Sequence, residues 1–154
     1  MKQKASEKMK VELRKTEKKE IPVIAAIYKK EFSKPPYNEN WTNEKTINKM
    51  NFFIKYYDLY TIKVNKKIVG FICINPTFMC PGEVAFGEEM AIDEKFQGQG
   101  IGTWVLQKIL EIYKEKGFIR FLGIADSEGK AIKLYNKLGI KLSKKDLLIE
   151  KILK

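Results

Sequence analysis

Asp93-Glu94-Lys95-Phe96-Gln97-Gly98-Gln99-Gly100-Ile101-Gly102 sets three alternate glycines between an apolar, strand-like run and a strongly amphipathic helix. Glycine lets the main chain approach a ligand closely and take positive φ. Successive N–H groups can then converge on phosphate oxygens, and the following helix adds its positive dipole end. The stretch reads as a cradle for a pyrophosphate that needs no basic side chain.

The helix is read from spacing. Val105, Ile109 and Ile112 fall at i, i+4 and i+7, and Leu106, Leu110 and Tyr113 repeat the pattern one position on, which gives one core-facing side. Gly117 ends the pattern just after Lys114 and Lys116, cations suited to a helix C-terminus. Upstream, Glu88-Glu89-Met90-Ala91-Ile92 follows Gly87 and reads as the end of a strand. Two other phosphate loops fail by letter. A dinucleotide fingerprint wants its third glycine where Thr103 stands, and no acidic residue lies near position 122; a Walker A loop wants a Gly-Lys-Ser/Thr triplet that the chain lacks.

The stretch resembles the acyl-CoA loop of the GNAT superfamily of N-acetyltransferases, Gln/Arg-x-x-Gly-x-Gly/Ala, with Gln97, Gly100 and Gly102 at the fixed positions. Met90-Ala91-Ile92 occupies the place of the family's strand segment that bonds pantetheine through its backbone. Ala131-Ile132-Lys133-Leu134-Tyr135-Asn136-Lys137-Leu138-Gly139-Ile140 is similar to the family's downstream A-I-x-L-Y-x-K-L-G-F box. The resemblance covers residues 84 to 140. Glu94 departs from it where proline is common, Glu128 where an asparagine often meets the cofactor, and Ile140 where phenylalanine is usual. A carboxylate cannot donate the hydrogen bonds of an amide, so Glu128 is left out of the cofactor set.

The resemblance implies an α+β, three-layer α/β/α fold, with a mixed, mostly antiparallel sheet between helices. Its central strands, here 84 to 92 and 118 to 125, would splay apart to admit pantetheine. It implies acetyl-CoA as co-substrate, held by Met90, Ala91, Ile92, Gln97, Gly98, Gln99, Gly100, Ile101, Gly102 and Thr103. It also implies a primary amine as acceptor, attacking the thioester directly in a ternary complex. In this family a tyrosine at the place of Tyr135 lies near the cofactor sulfur and often protonates the departing thiolate.

The attacking amine must first lose its proton, and Glu88 and Glu89 are the candidate bases. Alternation along a regular strand would send only one of them into the cleft. Pro35 to Trp41 joins the first two helices, a connection that borders the acceptor site in this family, and Tyr37, Glu39 and Trp41 would suit an amine-bearing substrate there. A non-catalytic CoA-binding regulatory module, or a basic RNA-associated protein, are the alternative readings.

Length and composition are consistent with one catalytic domain. At 154 residues with 44% hydrophobic side chains the chain can bury a sizeable core. Residues 1–9 read as a flexible basic tail and 10–154 as a single N-acetyltransferase domain. No run of 18 apolar residues and no apolar leader core are present, so no membrane partner and a cytoplasmic location are expected. Histidine is absent, which removes Ser-His-Asp and Cys-His machinery and the commonest zinc ligand, so no metal is expected. Cys73 and Cys80 read as buried free thiols. The net charge of +11 invites a nucleic-acid partner, but of 30 basic residues only Arg14 and Arg120 are arginine, and the lysines are interleaved with glutamates. Solvated surface that helps steer an anionic cofactor is the reading preferred, for a monomer or a homodimer.

The remaining pattern gives an edge strand at Val11 to Arg14 and a helix behind Pro22 carrying Ile24, Ile27, Tyr28 and Phe32. A second helix, capped by Thr42, carries Ile47, Met50 and Ile54. Strands at Leu59 to Val64 and Ile68 to Ile74 are joined by a turn of Asn65-Lys66-Lys67. Phe118 to Ile124 reads as a strand, Lys130 to Leu138 as a helix, and Leu147 to Ile152 as a terminal strand.

Overall fold

The structure, a computed structural model, describes residues 9–154. All but the last residue of the expected basic tail lie outside that range; Met9 itself packs against the core. The chain runs β1 (Val11–Lys15), α1 (Ile21–Phe32), α2 (Asn43–Tyr56), β2 (Asp58–Val64), β3 (Lys67–Asn75), β4 (Val84–Ile92), α3 (Ile101–Glu115), β5 (Arg120–Gly123) and α4 (Ala131–Lys137). The five strands form one sheet in the order β1-β2-β3-β4-β5. The first three pairings are antiparallel and the last, β4 with β5, is parallel.

Strand alternation divides two cores between the faces of the sheet. Phe71, Cys73 and Ala91 point to α1 and α2, where they meet Ile24, Tyr28, Phe32, Met50 and Phe53. Ile72, Ile74 and Ile92 point the other way, to Val105, Leu106 and Ile109 of α3. The fold is therefore the expected three-layer α+β arrangement. Local signals explain its elements. Pro22 sits in the first turn of α1, where its missing N–H costs nothing. Thr42 caps α2 by accepting from the Lys45 amide at 3.2 Å.

Four expectations are corrected. The β2–β3 turn has two residues: Asn65 and Lys66 both take positive φ, 47° and 70°, which suits the twist of a tight hairpin, and Lys67 already belongs to β3. Leu147 to Ile152 form no strand. They pair with nothing, and Leu147, Leu148, Ile149 and Ile152 are exposed. Cys73 is buried as expected, but Cys80 lies exposed in the loop after β3. Finally, β4 is not a regular strand. Cys73 faces Glu89 and Ile74 faces Gly87, so Glu88 is an extra residue in a β-bulge.

Candidate active site

β4 and β5 are paired only from Val84 with Arg120 to Gly87 with Gly123. Beyond that point β5 ends, and residues 88 to 92 keep β3 on one side with no strand on the other. Buried backbone groups demand partners, so this free edge of β4 is a place for a ligand rich in amides. A cleft of about 700 Å³ opens beside it, between α1, the glycine loop and α4.

The loop itself has the conformation its glycines permit. Gly98 and Gly100 take φ of +72° and +82°, left-handed values that cost other residues energy. Gly100 is the N-cap of α3, and the Trp104 amide is the first to bond back, to the Gly100 carbonyl at 3.1 Å. Among the described residues, the amides of 98 to 103 have no acceptor within the protein. These unpartnered donors stand at the start of a fifteen-residue helix, the arrangement of backbone N–H groups and dipole that an anion site requires.

Of the cofactor candidates, Met90, Ala91, Ile92, Gln97, Gly98, Gly100, Gly102 and Thr103 line the cleft. Gln99 and Ile101 do not. The Gln99 amide group donates to the Lys95 carbonyl at 3.1 Å, and Ile101 is buried in the α3 core. Gly102 serves packing too, since a Cβ there would sit 3.2 Å from Leu134 Cδ2 of α4. Gln97 acts as a clasp: its Nε2 donates to the Ile92 carbonyl at 2.6 Å and to Glu31 Oε2 at 3.0 Å.

Glu31 is the part of the loop's support that the sequence reading missed. Buried on α1, it also accepts from the Glu94 amide at 3.2 Å and pairs with Lys34 at 2.8 Å. Glu94, where the family pattern has proline, instead ion-pairs with Lys30 and Lys34 at 2.8 and 3.0 Å. Lys130, Lys133 and Lys137 also line the cleft, and among the described residues they make no ion pair. Their i, i+3, i+7 spacing along α4 was a legible signal for an anionic ligand. Glu128 lines the cleft as well.

A smaller cavity of about 80 Å³ adjoins the cleft through Phe32, Tyr37, Met90 and Ala131. Glu88, Glu89, Asp126 and Tyr135 all line it. The bulge explains why both glutamates reach one cavity, since the extra residue breaks the alternation that would have parted them. Glu88 accepts from Asn75 Nδ2 at 2.9 Å. Glu89 accepts from the Tyr28 hydroxyl at 3.1 Å and lies 3.6 Å from Lys49 Nζ. Burial raises the Glu89 carboxyl above its ordinary value, outweighing Lys49 and Tyr28, which act the other way. Tyr135 is held protonated well past neutrality, first by burial and then by Tyr37 and Glu89 nearby.

The acceptor candidates divide. Tyr37 lines both the cleft and the cavity. Glu39 and Trp41 line neither; the Trp41 indole N–H donates to Glu39, and its ring meets Tyr28 edge-on with centroids 4.7 Å apart.

Residues 22–140 match the model of the acetyltransferase (GNAT) family, and the chain belongs to that family. Among curated relatives, thialysine N-epsilon-acetyltransferase of Mus musculus is 36% identical over 59 residues, 38% of this chain and 35% of that protein. An uncharacterized N-acetyltransferase of Methanocaldococcus jannaschii is 33% identical over 84 residues, 52% of this chain and 37% of that protein. The chain thus spans little more than a third of the length of the curated relatives it matches. Among solved structures, aminoglycoside N-acetyltransferase AAC(6')-Iy in complex with CoA shares the fold, with a TM-score of 0.73 at 12% identity over 96% of this chain and 98% of that one. No described helix is long and apolar enough to cross a membrane.

Proposed function

We propose that this domain moves an acetyl group from acetyl-CoA to a primary amine by direct attack within a ternary complex. The observation that carries the reading is a juxtaposition. The free edge of β4 and the loop residues Gly98, Gly100, Gly102 and Thr103, whose amides are unpartnered, open onto one cleft, and that cleft continues into a cavity holding two glutamates and a tyrosine. The amides and the lysines of α4 suit the phosphates of coenzyme A, and the edge of β4 suits its pantetheine amides.

In this reading Glu89 takes the proton of the bound ammonium. Its burial favours the neutral acid, so it accepts a proton nearer neutrality than an exposed carboxylate does. The freed amine attacks the thioester carbonyl, and a strand N–H within residues 90 to 92 stabilises the oxyanion. As the C–S bond breaks, Tyr135 gives its proton to the departing thiolate, for which its raised pKa keeps it loaded, and the second proton of the attacking nitrogen restores the hydroxyl. Glu88 and Asp126 add negative charge to the cavity, which favours a cationic acceptor. The mouse relative, named for the ε-amine of thialysine, supports an amine on an alkyl arm.

The test is thiol release from acetyl-CoA with a panel of alkyl diamines, lysine analogues, aminoglycosides and peptides. Saturable release that depends on the amine is expected. Tight binding of acetyl-CoA by calorimetry with no release for any amine would identify a non-catalytic CoA-binding module instead.

A further inference from the structure

Glu89 does not face the cavity alone, because its other side is built into a cluster that the reaction above does not use. Lys49, on α2, reaches over the sheet so that its ammonium lies 3.6 Å from Glu89 Oε1. The same ammonium stands over three rings, 5.4 Å from the Trp41 centroid, 5.4 Å from Phe53 and 5.9 Å from Tyr28. Tyr28, fully buried on α1, donates to that same Oε1 at 3.1 Å. A lysine on a helix surface ordinarily extends into water. This one is held by three aromatic faces and one carboxylate, and the Thr42 cap and the buried Met50 and Phe53 fix the helix that carries it.

We propose that Lys49 is a positioning residue for the acetyl transfer: with Tyr28 it claims one oxygen of Glu89, fixing the carboxylate so that the other oxygen serves the cavity. Trp41 and Phe53, in this view, hold the ammonium and do not contact the acceptor. The inference rests on Glu89 acting as the base. It also gives Trp41 a role in the site that the sequence reading assigned to substrate contact.

The charged and titratable groups around Glu89 set the sign of the test. Lys49 from α2 and the Tyr28 hydroxyl from α1 favour the carboxylate, whereas burial and the charge of Glu39 oppose it. Cys73 from β3, Tyr37 from the loop after α1, Asp126 from the loop after β5, Tyr135 from α4 and the neighbouring Glu88 complete the surroundings. Removing the Lys49 charge must therefore move Glu89 further up, by about one pH unit or more for a paired charge at this distance.

The experiment is a carboxyl-carbon NMR titration of protein labelled with ¹³C-glutamate, the Glu89 signal being assigned by its loss in Glu89→Gln. It is run on the wild type, Lys49→Met, Lys49→Gln and Lys49→Arg, beside the pH profile of kcat/KM for thiol release. The Glu89 midpoint should rise in Lys49→Met and Lys49→Gln and return toward the wild-type value in Lys49→Arg. The acid limb of kcat/KM should move by the same amount, while acetyl-CoA affinity stays within about twofold. An unchanged Glu89 midpoint in folded Lys49→Met or Lys49→Gln overturns the role of Lys49 and leaves the base assignment standing. A midpoint that rises without any movement of the acid limb removes Glu89 as the base, and with it the role of Lys49 in the reaction.

Discussion

Replacing Glu31 with alanine should unfasten the glycine loop from α1 without changing any residue of the loop itself. The Glu31 side chain is 8% exposed and accepts from Gln97 Nε2 at 3.0 Å and from the Glu94 amide at 3.2 Å. Hydrogen bonds to a buried charge contribute roughly 1.5–3 kcal/mol each. Gln97 keeps its bond to the Ile92 carbonyl, so the lower end applies and the two together come to about 3 kcal/mol. The Lys34 ion pair adds little, because that lysine is 36% exposed and retains Glu94 as a partner. For a domain of this size the expected fall in melting temperature is roughly 6–12 °C. The loop must then be ordered by the ligand, and acetyl-CoA affinity should drop by about tenfold, or about 1.4 kcal/mol. Differential scanning calorimetry and isothermal titration calorimetry read the two effects, and Glu31→Gln, which keeps an acceptor oxygen, should fall between. A Glu31→Ala protein with wild-type melting and wild-type acetyl-CoA affinity would refute the latch.

Two further outcomes are expected. Tyr135→Phe should lower kcat by about 10²-fold or more and change acetyl-CoA affinity little, as for a proton donor used only in the transition state; equal kcat for the two proteins across pH would remove the assignment. Glu20 is buried at the other end of the sheet; burial alone would raise its carboxyl, but the Glu17 amide, Thr61, Lys63 and Arg14 together hold it at about 2, below the ordinary 4.5. A carboxyl depressed in the fold stabilises it above the unfolded value and loses that contribution as pH falls from about 4.5 to about 2. Urea denaturation across that window should show the loss in the wild type, and the slope should flatten in Glu20→Gln; identical slopes would count against the cluster.

The glycine loop, all four helices and the five strands of the sheet were legible because the signals are local. Three alternate glycines, a 3.6-residue apolar period and a threonine cap each act within a few positions. What escaped the sequence depends on pairing across long separations. The bulge that brings Glu88 and Glu89 to one cavity exists only in the register of β4 against β3, Cys73 to Glu89 and Ile74 to Gly87. Glu31 clasps Gln97 across 66 positions, and Tyr28 meets Glu89 across 61, so no window of sequence contains either pair. Leu147 to Ile152 show the reverse failure: a strand pattern is present locally, but no neighbouring strand takes it up. Trp41, read from sequence as an acceptor contact, meets the Tyr28 ring edge-on and lies under the Lys49 ammonium, contacts that no window of sequence shows.

The proposed reaction depends on main-chain amides of residues 98 to 103 gripping the diphosphate of coenzyme A. A crystal structure with acetyl-CoA bound is the decisive test. Diphosphate oxygens are expected within hydrogen-bond distance of several of those amides, with the pantetheine arm along the free edge of β4. A well-ordered ligand whose diphosphate lies elsewhere, with those amides left to water, would contradict it.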